Sequence, residues 1–213
     1  MTTATLIPNA ERVRAACEQF DQESELVEQT LQELFRQYPA NSDPRHVLLK
    51  VVAVNSLYHT CIFALDVVAS HIHEHHKEID AALKAGSPEI VDLIAKVKVK
   101  GKFYNFFSFA TKYCNWQNPT AFPIYDAHVD HCLWTLQNQN HFTSFLHPDL
   151  WNYPKFLKIM TDFRSFHSLN EFTFKEIDKF LYLEGAPRAA ASPGEPHSGV
   201  GAFDFYPTEE LTS

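Results

Sequence analysis

Val13, Cys17, Phe20, Ser24, Val27, Leu31, Leu34 and Tyr38 follow one another at spacings of four and three over about seven helical turns. A strand would place successive pairs of that series on opposite faces, because each spacing of three changes the face. An α-helix places them all on one, so the spacing predicts a helix over 10–38 with a single apolar seam. The seam must be covered, either by the rest of the chain or by a helix of a partner. Ser24 interrupts it and only about four heptads exist, which favours packing within the chain.

Beyond the Pro39–Pro44 turn, helical signals continue. Residues 46–77 are apolar on nearly every face and predict one long buried helix, with Asn55, Tyr58, His59 and Thr60 as polar exceptions. Ser87-Pro88-Glu89 reads as the start of a helix ending near Lys96, with serine as N-cap and proline in the first position. Residues 96–102, KVKVKGK, read as a basic connection, and 103–114, FYNFFSFATKYC, as a buried helix. Two prolines and two asparagines make 115–125 a loop, after which Asp126 caps a further helix. His147–Pro154 is a second loop, and residues 155–166 are helical. Thr173-Phe-Lys-Glu176 is a capping box opening a helix that Gly185 would stop. The expectation is an all-α fold of six to eight helices. Residues 1–44 form an N-terminal helix and turn, 45–185 the body, and 186–213 a flexible acidic tail.

Charge is distributed unevenly. The net −8 resolves into −5 over 1–44, −4 over 184–213 and +1 between them. Lys96, Lys98, Lys100, Lys102 and Lys112 fall in a stretch with no acid between Asp92 and Asp126. The total charge discourages nucleic-acid binding; this local stretch permits it, because phosphate contact depends on a patch. Six glycines leave little room for a glycine-rich nucleotide loop. No apolar run is long enough to span a membrane, and the N-terminus lacks the basic start and apolar core of a signal peptide. Cys17, Cys61, Cys114 and Cys132 form no CxxC pair, which argues against a zinc ribbon and for free thiols in a reducing cytoplasm. His71 and His75, one turn apart, tempt a metal assignment, as do His128 and His131 beside Asp126 and Asp130. With no further ligand in a recognisable pattern, neither is assigned one, and no cofactor is expected.

The segment 96–134 carries the most information. It runs from a basic turn through a helix and a proline-containing loop to an aspartate opening a new helix. Phe122-Pro-Ile-Tyr-Asp126-Ala-His-Val129 resembles the aspartate motif of helix-hairpin-helix DNA glycosylases. Ser108-Phe-Ala-Thr-Lys112 and Asn118-Pro-Thr-Ala-Phe-Pro-Ile-Tyr-Asp126 are similar to phrases in small bacterial proteins of 8-oxoguanine-glycosylase-like fold. Phe163-Arg164 and Ile177-Asp178-Lys179-Phe180-Leu181 resemble their C-terminal phrases. The resemblance covers about 46–185. It departs at Val99-Lys100-Gly101-Lys102, where the superfamily hairpin carries two glycines and a proline.

The resemblance implies cleavage of the N-glycosidic bond of a damaged or modified base everted from double-stranded DNA, in repair or phage defence. Asp126 would be the carboxylate that stabilises charge on the sugar. Lys102 or Lys112 would be the amine, if one takes part. Lys96, Lys98, Lys100, Gly101 and His128 would contact DNA, and Trp116, Tyr125, Phe103 and Tyr104 would line the base pocket. A non-catalytic DNA-binding or protein-interaction module of the same fold is the alternative.

Overall fold

The computed structural model describes residues 7–186. Helix α1 spans Ala10–Gln37, and the Asn9 side chain caps it by accepting from Arg12 N at 3.0 Å. Its seam turns inward: Val13, Leu31 and Phe35 are buried, and Phe20 meets Tyr182 edge-on. Most of its cover comes from the last helix, α9 (Phe174–Gly185), and Phe35 packs on Tyr113 and Trp116, so the seam is used within the chain. The tail expected over 186–213 lies almost wholly outside the described residues.

The stretch 46–77 is not one helix. It divides into α2 (Pro44–Leu57), an irregular turn, and α3 (Leu65–Glu74), with α4 (His76–Ala85) following at once. Asn55 makes the break. Its Oδ1 accepts from Thr60 Oγ1 and from Ile62 N, both at 2.8 Å, holding a turn in which His59 and Cys61 adopt left-handed backbone. Buried hydrophobics on several faces masked this, because a side chain folding back on the backbone leaves no mark on periodicity. Helix α5 (Ile90–Ala95) begins without a side-chain cap; backbone carbonyls of Ser87, Pro88 and Glu89 close its first turn instead.

The basic connection is a β-hairpin. Strands β1 (Lys96–Val99) and β2 (Lys102–Asn105) pair antiparallel, with Lys98 opposite Phe103 and Val99 opposite Lys102. Lys100 and Gly101 turn the chain with φ of 49° and 87°, the two-residue geometry that suits strand twist and that glycine reaches without strain. A β-ribbon, not a bare basic loop, therefore joins α5 to α6 (Phe107–Gln117). Helix α6 starts only at Phe107 and runs to Gln117, so Phe103 and Tyr104 belong to the ribbon and not to a buried helix.

Asp126 caps α7 (Ala127–Asn140), as the sequence predicts. A 3-10 turn, His147–Trp151, occupies the expected second loop and leads into α8 (Tyr153–Phe166). Helix α9 (Phe174–Gly185) opens with the capping box of Thr173 and Glu176. Gly185 is its last residue rather than a left-handed stop. A Cβ there would lie 1.9 Å from the His128 carbonyl oxygen, so glycine lets α9 touch the start of α7. The result is all-α but for one ribbon, with nine α-helices among the described residues. Its core is rich in aromatics: Phe109, Tyr113, Phe122, Tyr153, Phe156, Phe163 and Phe180 are fully buried, and eleven of the eighteen phenylalanines are buried in all. Among the described residues no helix is long and apolar enough to cross a membrane.

Candidate functional site

Helix α6 and the loop that follows it build the site. Ser108 and Lys112 are one turn apart and share a face. Lys112 is 3% exposed, and its ammonium donates to Ser108 Oγ at 2.8 Å and to the Tyr125 carbonyl at 3.3 Å. The Tyr58 ring lies 5.6 Å from it. Asp126 Oδ2 stands 3.9 Å away. The other oxygen of Asp126 accepts from His128 N and Val129 N at 3.0 and 2.9 Å, so the carboxylate is fixed at the N-terminus of α7, where backbone dipoles favour an anion.

The loop 118–125 is held against three helices. Tyr125 N donates to Thr111 Oγ1, Asn115 Nδ2 to the Phe122 carbonyl, and the Tyr153 hydroxyl to the Pro123 carbonyl. Ile124 N donates to Asp178 Oδ2 at 2.8 Å. Asp178 is the residue that sequence reasoning missed. It is 5% exposed on α9, and its Oδ1 has no hydrogen-bond partner. Burial lifts its carboxyl well above the ordinary carboxylate range; the Ile124 N–H, Lys175 and Lys112 pull the other way without prevailing, and Asp126 adds to the rise. The only signal for Asp178 in the sequence was its place in the phrase Ile177–Leu181.

A shell of polar and aromatic groups surrounds the pair. Lys175 bonds Glu28 at 2.7 Å and lies over the Trp116 ring, 3.5 Å from its centre, while Trp116 Nε1 donates to the Tyr58 hydroxyl. Burial lowers the Lys175 ammonium and raises the Tyr58 hydroxyl. On the far side the Tyr125 hydroxyl donates to Asp130 at 2.8 Å and accepts from Trp151 Nε1. His147 Nε2 reaches the second oxygen of Asp130 at 2.7 Å.

The structure thus brings Lys112 and Asp126 together and leaves Lys102 on the exposed strand β2. Lys96, Lys98, Lys100 and Gly101 share the ribbon. His128 is apart from them: its ring packs edge-on against Tyr182 and its Nδ1 faces the Gly185 carbonyl, tying α7 to α9. The four aromatics named for a base pocket do not form one. Tyr125 is buried, Trp116 is stacked on Phe35 and covered by Lys175, and Phe103 and Tyr104 are on the ribbon. Two open surface clefts lie elsewhere, one beside Asp80, Lys84, Gln117 and Asn118, the other beside Pro44 and Asp66. The histidine series is spent on backbone carbonyls: His71 on Leu93, His73 on Asn41, His75 on His71 and His76 on His73. Among the described residues no group of three or more His, Cys, Asp or Glu side chains is placed to hold a metal ion.

Comparison with known proteins supplies kinship without a chemistry. An uncharacterised protein of Haemophilus influenzae is 41% identical over 139 residues, which is 65% of this chain and 66% of the relative, so the chain spans just under two thirds of that protein's length. No solved structure matches. The family model HI_0787_N, described as an N-terminal domain, matches residues 12–121, from α1 through Lys112 and short of Asp126 and Asp178. That match covers more than half of the 213 residues, and the chain belongs to the HI_0787_N family.

Proposed function

We propose that the protein cleaves the N-glycosidic bond of a damaged or modified base in double-stranded DNA. The observation that carries this reading is the buried Lys112 ammonium 3.9 Å from the helix-capping carboxylate of Asp126. The resemblance of the segment around that pair to glycosylase motifs supplies the substrate class.

Departure of a base leaves positive charge on the deoxyribose, and a fixed carboxylate stabilises it. Asp126 is suited to that role because two backbone N–H groups hold it in place before any substrate arrives. Lys112, after giving up a proton, has a lone pair able to attack C1′. The new C–N bond forms as the bond to the base breaks, and the base leaves with a proton; ring opening then gives an imine that borohydride reduces. Without that attack, water activated by Asp126 hydrolyses the same bond. The exposed Cys61 and the other free thiols fit a reducing, cytoplasmic setting for such work.

The burial of Lys112 favours a second reading, a DNA-binding module of this fold without catalysis. Base release separates the two. Asp126→Asn keeps a side-chain oxygen to cap α7 and removes the charge. Incubated with duplexes bearing 8-oxoguanine, uracil or hydroxymethylcytosine, the wild-type chain is expected to release a base and the variant to lose most of that activity. Duplex binding by the wild-type chain without release of any base would favour the binding module.

A further inference from the structure

The ribbon between α5 and α6 has an inner and an outer face. Residues paired across antiparallel strands share a face, so Val97 and Tyr104 lie on one side, with Lys98 and Phe103 on the other. Val97 is buried against the body. Phe103 is 63% exposed, and the Lys98 ammonium sits 5.7 Å from its ring centre. Lys100 forms the turn with Gly101, and Lys102 follows it. Lys96 is paired with Asp92 at 2.7 Å, whereas Lys98, Lys100 and Lys102 have no ion-pair partner among the described residues. A large aromatic held out in water beside Lys98, near a ribbon tip that carries Lys100 and, on the Val97 face, Lys102, does nothing for the core.

The partner must be anionic and must offer a flat apolar face. Nucleic acid provides both, phosphates for the ammonium groups and an unstacked base for the ring. An anionic membrane would take the charge but calls for more apolar surface than one ring and the partly exposed Tyr104 supply. We propose that the 96–105 ribbon grips duplex DNA, with Lys98, Lys100 and Lys102 on backbone phosphates and Phe103 stacked into the gap left where a base is missing. The preference for a gap rests on the base-excision reading above; the phosphate grip does not.

Fluorescence anisotropy with the full chain tests both parts. The probes are an intact duplex and the same duplex carrying one tetrahydrofuran abasic analogue, each titrated over a salt series. The wild-type chain should bind both, the abasic one more tightly. Replacing Lys98, Lys100 and Lys102 together by alanine should weaken both and flatten the log–log salt slope by roughly two to three, about 0.9 for each phosphate left without its lysine. Phe103→Ala should weaken the abasic duplex roughly ten-fold and leave the intact one nearly unchanged. These side chains are exposed, and thermal unfolding of the variants should match wild type.

A triple variant that binds like wild type overturns the phosphate grip. Equal weakening on both duplexes in Phe103→Ala overturns the stacking. Wild-type chain that ignores both duplexes and binds phosphatidylserine vesicles overturns the proposal in favour of a membrane. Base release scored in the same preparations keeps this separate from the catalytic reading: release abolished in Asp126→Asn but unaltered in ribbon variants would sink the ribbon and spare the chemistry, and DNA binding abolished in ribbon variants of a chain that releases no base would do the reverse.

Discussion

Lys50 and Lys112 are both buried, and their surroundings are opposite in kind. Lys50 of α2 is fully buried and donates to the carbonyls of Tyr38 and Ala40 and to Asn41 Oδ1, at 3.1, 3.2 and 2.7 Å. Asp80, the acid of this nest, bonds Asn41, through both its side-chain and its backbone nitrogen. Phe35 and Tyr113 close the nest with their rings. Lys50 therefore ties the 38–41 turn to the body with neutral acceptors. Lys112 faces the carboxylate of Asp126, with Asp178, whose carboxyl burial raises above the ordinary range, in the same cluster. Neutral oxygens hold an ammonium in place; a capped carboxylate beside one makes an acid–base pair. Burial alone does not distinguish the two lysines; their partners do.

The comparison is broken most severely by deleting each ammonium. Lys50→Met strands three buried acceptors, and a loss of about 3–5 kcal/mol is expected in denaturant unfolding. Lys112→Met should cost less than half as much, because Ser108 still donates to the Tyr125 carbonyl and Asp126 keeps its two N–H bonds. Equal losses would make Lys112 another structural tie.

Gly185→Ala comes next. A methyl group 1.9 Å from the His128 carbonyl must push α9 from α7, with a loss of about 1–3 kcal/mol or more. The shift falls on the Asp126 side, so base release should fall further than stability implies. Asp126→Ala removes the cap and should cost about 1 kcal/mol, while Asp126→Asn should retain most of that stability. Thermal unfolding of the two variants checks the difference.

The smallest effect concerns protons, and the two nests have opposite signs. Burial lowers the Lys50 ammonium to about 8 from an ordinary 10.5. Between those values the unfolded chain holds more protons, so this group makes the fold gain stability as pH rises from 8 toward 10.5. Asp178 is raised instead. Above the ordinary carboxylate range the folded chain holds the extra proton, and stability contributed by this group falls as pH rises through that window. Asp178→Asn should therefore be more stable than wild type at neutral pH, with the gap closing toward about pH 4, the ordinary carboxylate value. A variant less stable at neutral pH would mean that Asp178 is ionised and paired.

The sequence made some of this legible and hid the rest for definite reasons. The seam of α1, the Thr173 capping box and the Asp126 cap are local patterns, and each is present in the fold. The break after α2 is not legible, because Asn55 acts by bending its amide back on Thr60 and Ile62. The ribbon was hidden because lysines alternating with valines read equally as a charged loop. Asp178 is legible only in three dimensions. An acid in an amphipathic helix is ordinarily its wet face, and here the loop 118–125 covers it.

Borohydride trapping on an abasic duplex, followed by peptide mapping of any adduct, tests the central claim most directly. A covalent adduct on the peptide containing Lys112 is expected, absent in Lys112→Met and strongly reduced in Asp126→Asn. An adduct on Lys102 or at the N-terminus, surviving in Lys112→Met, would contradict it.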